Sequence, residues 1–242
     1  MRPQGKWAHD RALDDRRTGA RRTRAPRSGL RDRLRPEAGL SRPGRGPGHL
    51  RGTRPGENSG VLDFGAGTGQ FALAAARRLG HVTAIDVSPA MVEALRERAA
   101  AAGLTNLDCA RAGFLSYQHP GPPADGVYTR HALHQLPDFW KAVALDRIAG
   151  MMRPGGVLRL RDLIYDFSPA EAAGVFRGWL DHAAADPADG YTAADYAEHI
   201  RTEFSTYRWL LEPMLAAAGF EIVTADFSGR LYGAYTCIKA TG

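Results

Sequence analysis

The chain is 242 residues long, carries a formal net charge of +6 at pH 7, and is 44% hydrophobic. This length and apolar content suit one domain with a sizeable core, and no apolar run reaches the roughly 18 residues of a membrane span. The chain starts without the apolar core of a signal peptide, and Cys109 and Cys237 lack metal-ligand spacing. We therefore expect a cytoplasmic protein with no membrane partner and no metal, as a monomer or homodimer.

The positive charge is concentrated at the N-terminus. Residues 1–57 contain 16 Lys and Arg against 6 Asp and Glu, whereas the rest of the chain contains 16 against 20. This segment has no helical or strand period that could bury a face, which predicts a solvated, disordered tail. Two alternatives stay open: a nucleic-acid-binding arm, although Trp7 is its sole aromatic residue, and a stretch that is not the natural start.

From Ser59 onward, short apolar runs alternate with segments of helical spacing. The predicted strands are, in chain order, VLDF, HVTAID, LTNLDCA, PADGVYTR, VLRLRD, FEIVTADF and LYGAYTCIKA. The predicted helices are QFALAAARRL, SPAMVEALRERAAAAG, DFWKAVALDRIAGMMRPGG and TYRWLLEPMLAAAG. Five alternating strands and helices predict a parallel α/β sheet with right-handed crossovers, and the last two strands add an antiparallel hairpin at one edge.

The first strand runs into a glycine turn, VLDFGAGTG. Gly65, Gly67 and Gly69 allow the backbone to approach a ligand closely, and the following helix directs its N-terminal N–H groups at that ligand. Asp63 would repel a phosphate and suits an ammonium or sulfonium cation. Asp86 ends the second strand, where an acidic residue can accept hydrogen bonds from ribose hydroxyls. The pattern predicts a nucleoside with a cationic amino-acid arm, as in S-adenosylmethionine.

The segments VLDFGAGTGQFA, AIDVSPAMVEALRERA and RPGGVLRLRD resemble the class I S-adenosylmethionine-dependent methyltransferases, especially the ubiquinone/menaquinone-methyltransferase-like group. The resemblance covers about residues 59–162, and 206–240 in architecture. It implies a Rossmann-like, seven-stranded, mostly parallel sheet of order 3-2-1-4-5-7-6, with strand seven antiparallel and helices on both faces. Residues 58–242 would form the methyltransferase domain, with a helical cap inserted at about 163–205.

The cofactor-binding residues that this resemblance implies are Asp63, Gly65, Ala66, Gly67, Asp86, Val87, Phe114 and Arg130. Asp86 would bind the ribose, Val87 would pack on the adenine, and Phe114 would offer its backbone N–H to the adenine. Gly113 stands where relatives often carry an aspartate, so one hydrogen bond worth about 1–3 kcal/mol is missing.

Candidate catalytic residues follow the fourth and fifth predicted strands. In the segment TRHALHQLPDFW, His131 directly follows the strand and His134 lies one turn later. Asp162 ends the fifth strand, at the carboxyl edge where ligands bind. Each of these residues has a structural alternative, since either histidine can pack the strand–helix connection and Asp162 can hold a backbone turn.

The predicted function is methyl transfer to a small or medium-sized organic acceptor, because the cap segment is rich in apolar and aromatic residues. Val175, Phe176, Trp179 and Leu180 are expected to form the cap core, and Arg208 is expected to pair with a nearby glutamate. Two alternatives remain: a non-catalytic or inactive S-adenosylmethionine-binding chain, and a nucleic-acid methyltransferase. The latter is disfavoured because no Asn/Asp-Pro-Pro-Tyr/Phe motif follows the fourth strand.

Overall fold

The structure is a computed structural model that describes residues 56–241. The predicted tail therefore lies outside the described residues, apart from its last two positions. Among the described residues, the strands are β1 (Gly60–Phe64), β2 (His81–Asp86), β3 (Leu107–Arg111), β4 (Ala124–Arg130), β5 (Met152–Tyr165), β6 (Thr206–Tyr207), β7 (Phe220–Ser228) and β8 (Tyr232–Lys239). The helices are α1 (Gln70–Ala76), α2 (Pro89–Ala101), α3 (Asp138–Met151), α4 (Ala172–Asp181), α5 (Ala193–Thr202) and α6 (Arg208–Ala217).

The sheet has the order β3-β2-β1-β4-β5-β8-β7. Its first five strands are parallel, and β8 lies antiparallel between β5 and β7. The two-residue β6 pairs with β5 outside this path. When β6 is set aside, the order is the predicted 3-2-1-4-5-7-6, so the predicted fold is confirmed.

Local sequence signals explain several boundaries. Ser88 caps α2 by accepting the N–H of Met91, and Pro89 occupies the first helical position. Helix α3 ends at Met151 and β5 begins at the next residue, because the Pro154-containing stretch cannot extend the helix. Pro213 lies in the interior of α6.

Two large clusters of buried apolar side chains pack the helices against the sheet. One contains Phe64, Leu145 and Leu158 among its members and packs α3 and α6 against the sheet. The other contains Ala72 and Leu95 and packs α1 and α2 against the sheet. The helices therefore fix the carboxyl ends of β1, β2, β4 and β5 along one edge, where α/β folds bind ligands.

The predicted cap segment contains α4 and α5, and β5 extends to Tyr165 before the chain enters it. Val175, Phe176 and Trp179 pack against a small cluster around Tyr165 and Phe167, in line with their expected role as cap core. Within residues 56–241, no helix combines the length and the apolar character that crossing a membrane requires.

Candidate functional site

The turn between β1 and α1 depends on its glycines. Gly65, Gly67 and Gly69 have φ values of 74°, 55° and 84°, in the left-handed region that favours glycine. A Cβ on Gly65 would lie 2.3 Å from the Cβ of Ala132, so this position also requires close approach of the backbone. A Cβ on Gly67 would meet nothing within 4 Å, so the backbone there borders open space.

Asp63 lies beneath this turn with only 2% of its surface exposed. Its Oδ2 atom has no hydrogen-bond partner among the described residues. Burial, reinforced by the charge of Asp86, raises the pKa of Asp63 to about 8, while the backbone N–H of Ala72 in α1 acts in the opposite direction. Asp63 and Asp86 therefore lie close to one another at the ends of adjacent strands, next to the glycine turn.

Asp86, the last residue of β2, stabilises the glycine turn through its side chain. Its Oδ2 accepts the backbone N–H of Gly67 at 2.8 Å, and its Oδ1 accepts that of Ser88 at 2.9 Å. A carboxylate has about four lone-pair sites, so each oxygen keeps capacity for a further donor. The carboxylate is thus oriented by the backbone and can still accept hydroxyl groups of a ligand.

The residues predicted near an adenine lie beyond Asp86. Val87 is 40% exposed, so it offers an apolar surface to a ligand. The Phe114 ring is buried and stacks on Phe64 at 5.1 Å, which leaves only its backbone for ligand contact. The N–H of Gly113 donates to Ser116 Oγ at 2.9 Å, which stabilises the turn after β3.

Arg130 is the last residue of β4, and His131 directly follows it. Arg130 lies beside Tyr128, whose ring stacks on Phe71 at 3.9 Å. His131 has φ 51°, an uncommon conformation for a residue with a side chain, and its N–H donates to the Arg161 carbonyl. Burial, together with the nearby Arg130 charge, lowers the pKa of His131 to about 4, although Asp162 acts to raise it. Its imidazole is therefore neutral at neutral pH.

His134 and Asp162 form a buried pair behind His131. Asp162 Oδ1 accepts a hydrogen bond from His134 Nδ1, and Asp162 Oδ2 accepts the backbone N–H groups of Ala132 and Leu133 at 3.1 and 2.7 Å. Burial acts to raise the pKa of Asp162, but the hydrogen bond and charge of His134, with the backbone N–H of Leu163, hold it below its usual value. The Asp162 carboxylate thus organises the turn after β4, as its structural alternative predicts.

Two cap residues join this pair, and the sequence did not indicate their contact. Glu203 Oε2 lies 2.8 Å from His134 Nε2 and 2.5 Å from His199 Nδ1. Burial acts to lower the pKa of His134, but Asp162 and Glu203 raise it to about 9. His134 is therefore a charged group between two carboxylates in the metal-free chain, and both of its ring nitrogens are engaged. The four-residue spacing of His199 and Glu203 is the signal that could have suggested their pairing.

Buried Lys141 in α3 fixes the chain beside Glu203. Its Nζ donates to the carbonyls of Leu136 at 2.6 Å and Phe204 at 2.5 Å, and to Asp138 at 2.9 Å. The N–H of Phe204 in turn donates to the His134 carbonyl at 2.8 Å. The return from the cap is thus attached to the turn after β4.

Aromatic side chains link the cap to the strand edge. The Trp179 ring lies 4.3 Å from Tyr196 and 6.1 Å from Tyr232, and Tyr232 lies edge-on to His131 at 5.8 Å. Arg208 Nε donates to Glu212 at 2.7 Å, which confirms that it pairs with a nearby glutamate. The surroundings of His131 on the cap side are therefore mainly aromatic.

Comparison with known proteins shows that part of this chain is similar to a known family. Residues 61–156 match the family described as methyltransferase domain. An uncharacterized methyltransferase of Mycobacterium tuberculosis is 35% identical over 98 residues, which are 40% of this chain and 47% of that protein. The chain thus spans about half the length of this curated relative.

Two further proteins are similar over longer stretches. A carboxy-S-adenosyl-L-methionine synthase of Dichelobacter nodosus is 26% identical over 199 residues, covering 79% of this chain and 80% of that protein. The structure of magnesium protoporphyrin IX methyltransferase from Synechocystis, with S-adenosylhomocysteine bound, has a TM-score of 0.55 and 15% identity. That match covers 77% of this chain and 75% of the other, and it shows a shared fold.

Proposed function

We propose that the chain is a class I S-adenosylmethionine-dependent methyltransferase, because residues 61–156 match a methyltransferase domain and the fold is shared with a methyltransferase structure. In this proposal it transfers the methyl group of S-adenosylmethionine to a small or medium-sized organic acceptor. The observation that carries the proposal is Asp63, a buried carboxylate with an unpartnered oxygen beside the glycine turn. An uncompensated buried charge is costly, and a cationic ligand at this position would compensate it.

The other residues of this edge fit the remaining parts of the cofactor. Gly67 leaves backbone open beside the turn, which suits the amino-acid arm of the ligand. Asp86 keeps acceptor capacity for the ribose hydroxyls, and exposed Val87 offers an apolar contact for the adenine. The Phe114 ring is committed to the core, so the proposed contact of this residue is limited to its backbone.

When bound, S-adenosylmethionine supplies an electrophilic methyl group. The protein has to hold the acceptor in line with that methyl group and exclude water, and positioning can account for much of the acceleration. Where the acceptor must lose a proton, neutral His131 is the better candidate for proton acceptor. In this proposal His134 and Asp162 are positioning residues, because each is engaged by buried partners of the other elements.

The cap supports an organic acceptor of modest size. The rings of Trp179, Tyr196 and Tyr232 gather on the cap side of His131. Aromatic faces bind apolar rings and can stabilise a nearby cation. These contacts favour an aromatic or amine-bearing acceptor over a polymer, which would need a longer open groove.

A second candidate is a protein that binds S-adenosylmethionine without transferring its methyl group. Its support is the likeness to the carboxy-S-adenosyl-L-methionine synthase, which extends over 79% of this chain. A shared fold does not fix the chemistry carried out in it. The nucleoside product distinguishes the two candidates.

The test is to incubate the full chain with S-adenosylmethionine and a panel of phenols, amines and carboxylic acids, followed by mass spectrometry. Acceptor-dependent formation of S-adenosylhomocysteine and a product heavier by one methyl substitution would support methyl transfer. A modified sulfonium nucleoside, or binding without turnover across the panel, would favour the second candidate. Asp63→Asn serves as the control that removes the proposed charge at the cofactor site.

A further inference from the structure

Three side chains that could bind a metal ion meet where the cap returns to the sheet. His134 belongs to the turn after β4, His199 to α5, and Glu203 directly follows α5. His134 Nε2, His199 Nδ1 and a Glu203 oxygen all lie within 4.8 Å of one another. Side-chain exposures of 8%, 14% and 15% place the three groups largely out of solvent.

The outer nitrogen of each histidine is bound by a second residue. His134 Nδ1 donates to the buried carboxylate of Asp162, and His199 Nε2 lies 3.1 Å from Ser205 Oγ. These contacts turn His134 Nε2 and His199 Nδ1 towards the same Glu203 oxygen. Metal-binding histidines nearly always have such an outer partner, which fixes the ring orientation and increases the basicity of the ligating nitrogen.

We propose that His134, His199 and Glu203 bind a divalent transition-metal ion of the zinc type. Two imidazole nitrogens and one carboxylate oxygen form a donor set that zinc sites use, with a further position for water or another ligand. Zinc lies about 2.0–2.1 Å from such ligands, so tetrahedral coordination would separate the donor atoms by about 3.3 Å. The present separations of 2.5 and 2.8 Å would increase by less than about 1 Å.

The ion would connect parts of the chain that are distant in sequence. It would join the turn after β4, which carries His131, to the end of α5 in the cap. Lys141 and the Phe204 N–H already hold this cap segment against the turn, so the ligands are brought together by contacts that do not depend on metal. The bound ion would thus anchor the cap next to the candidate methyl-transfer site.

The first experiment titrates the metal-stripped full-length chain with Zn²⁺ by calorimetry. We expect one zinc per chain, and we expect His199→Ala to weaken its binding by at least about tenfold. The matched control is His182→Ala, which removes an exposed histidine of the same cap that bonds the Gly178 carbonyl. Loss of binding in both variants, or in neither, would overturn the assignment, as would the absence of stoichiometric binding by the unchanged chain.

A second measurement is independent of whether a variant folds well. Co²⁺ added to the unchanged chain should give the visible absorption of a four-coordinate site. Zn²⁺ should abolish that absorption by displacing Co²⁺. Mg²⁺ should leave the absorption unchanged, because it prefers oxygen ligands. A purely octahedral cobalt spectrum would contradict the site. The affinity for S-adenosylmethionine is measured on the same samples. A chain that binds S-adenosylmethionine but no zinc would contradict the metal site alone and leave the proposed function standing.

Discussion

Asp63 lies in an environment that disfavours an ionised carboxylate. Its carboxyl group is buried next to a second carboxylate, and these two effects raise its pKa to about 8. A cationic ligand would favour the charged form and so recover part of the cost of burial. In the proposed function, the acidic group is retained for the ligand and not for the stability of the chain alone.

We expect Asp63→Asn to weaken S-adenosylmethionine binding by about 10–100-fold, because a hydrogen bond to a charged group contributes about 1.5–3 kcal/mol. The dissociation constant is measured by calorimetry. Asp226→Asn, which changes an exposed carboxylate on β7, should leave it unchanged. Equal affinities of the unchanged chain and Asp63→Asn would contradict this role.

For Asp86 we expect Asp86→Ala to weaken binding by tenfold or more, which corresponds to about 1.4 kcal/mol. The change removes both the proposed ribose acceptor and the support for the Gly67 and Ser88 amides. The same titration with Asp108→Ala, an exposed carboxylate on β3, provides the comparison. Unchanged affinity in Asp86→Ala would count against the ribose assignment.

His131 combines an unfavourable backbone conformation with a neutral, half-buried ring. If it accepts the proton of an acceptor, His131→Ala and His131→Gly should both lower kcat by about 100-fold or more. The glycine variant should be more stable than the alanine variant by about 1 kcal/mol, because glycine tolerates positive φ. Thermal unfolding and kcat are measured together, and full activity in His131→Gly would show that only the turn matters.

At the scale of elements, the attachment of the cap depends on Lys141. We expect Lys141→Met to destabilise the protein by about 2–4 kcal/mol, because it leaves the Leu136 and Phe204 carbonyls without their charged donor. Urea unfolding measures this change. The control Arg96→Met, on the exposed side of α2, should change the free energy of unfolding by no more than about 0.5 kcal/mol. A similarly small change in Lys141→Met would show that the Lys141 hydrogen bonds are not needed to attach the cap.

Local signals were sufficient to predict most elements. Glycines with positive φ at the β1–α1 turn, and Ser88 before Pro89 at α2, are requirements that act over a few residues. The Glu203 contact with His134 was not predictable in this way, because it depends on how the cap returns to the sheet. Likewise, the direction of the Phe114 ring was not predictable from its neighbours in sequence, because it depends on stacking against Phe64.

At the scale of the whole molecule, the charge is divided between an Arg-rich N-terminal segment and an acidic remainder. We expect a chain lacking residues 1–55 to bind S-adenosylmethionine within about twofold of the full chain, since the proposed cofactor residues all follow that segment. Calorimetry on both chains tests this, with circular dichroism as the check on folding. A large loss of affinity in the folded shorter chain would show that the N-terminal segment contributes to the cofactor site.

The most direct test of the central claim is the number of protons released when S-adenosylmethionine binds. Below about pH 8 the Asp63 carboxyl is protonated in the free protein, and a bound cation favours its ionised form, so binding should release close to one proton at pH 6.5. Calorimetry in buffers of different ionisation enthalpy measures this number. We predict that the release disappears above pH 9 and in Asp63→Asn; no release at pH 6.5, or the same release in the variant, would contradict the account.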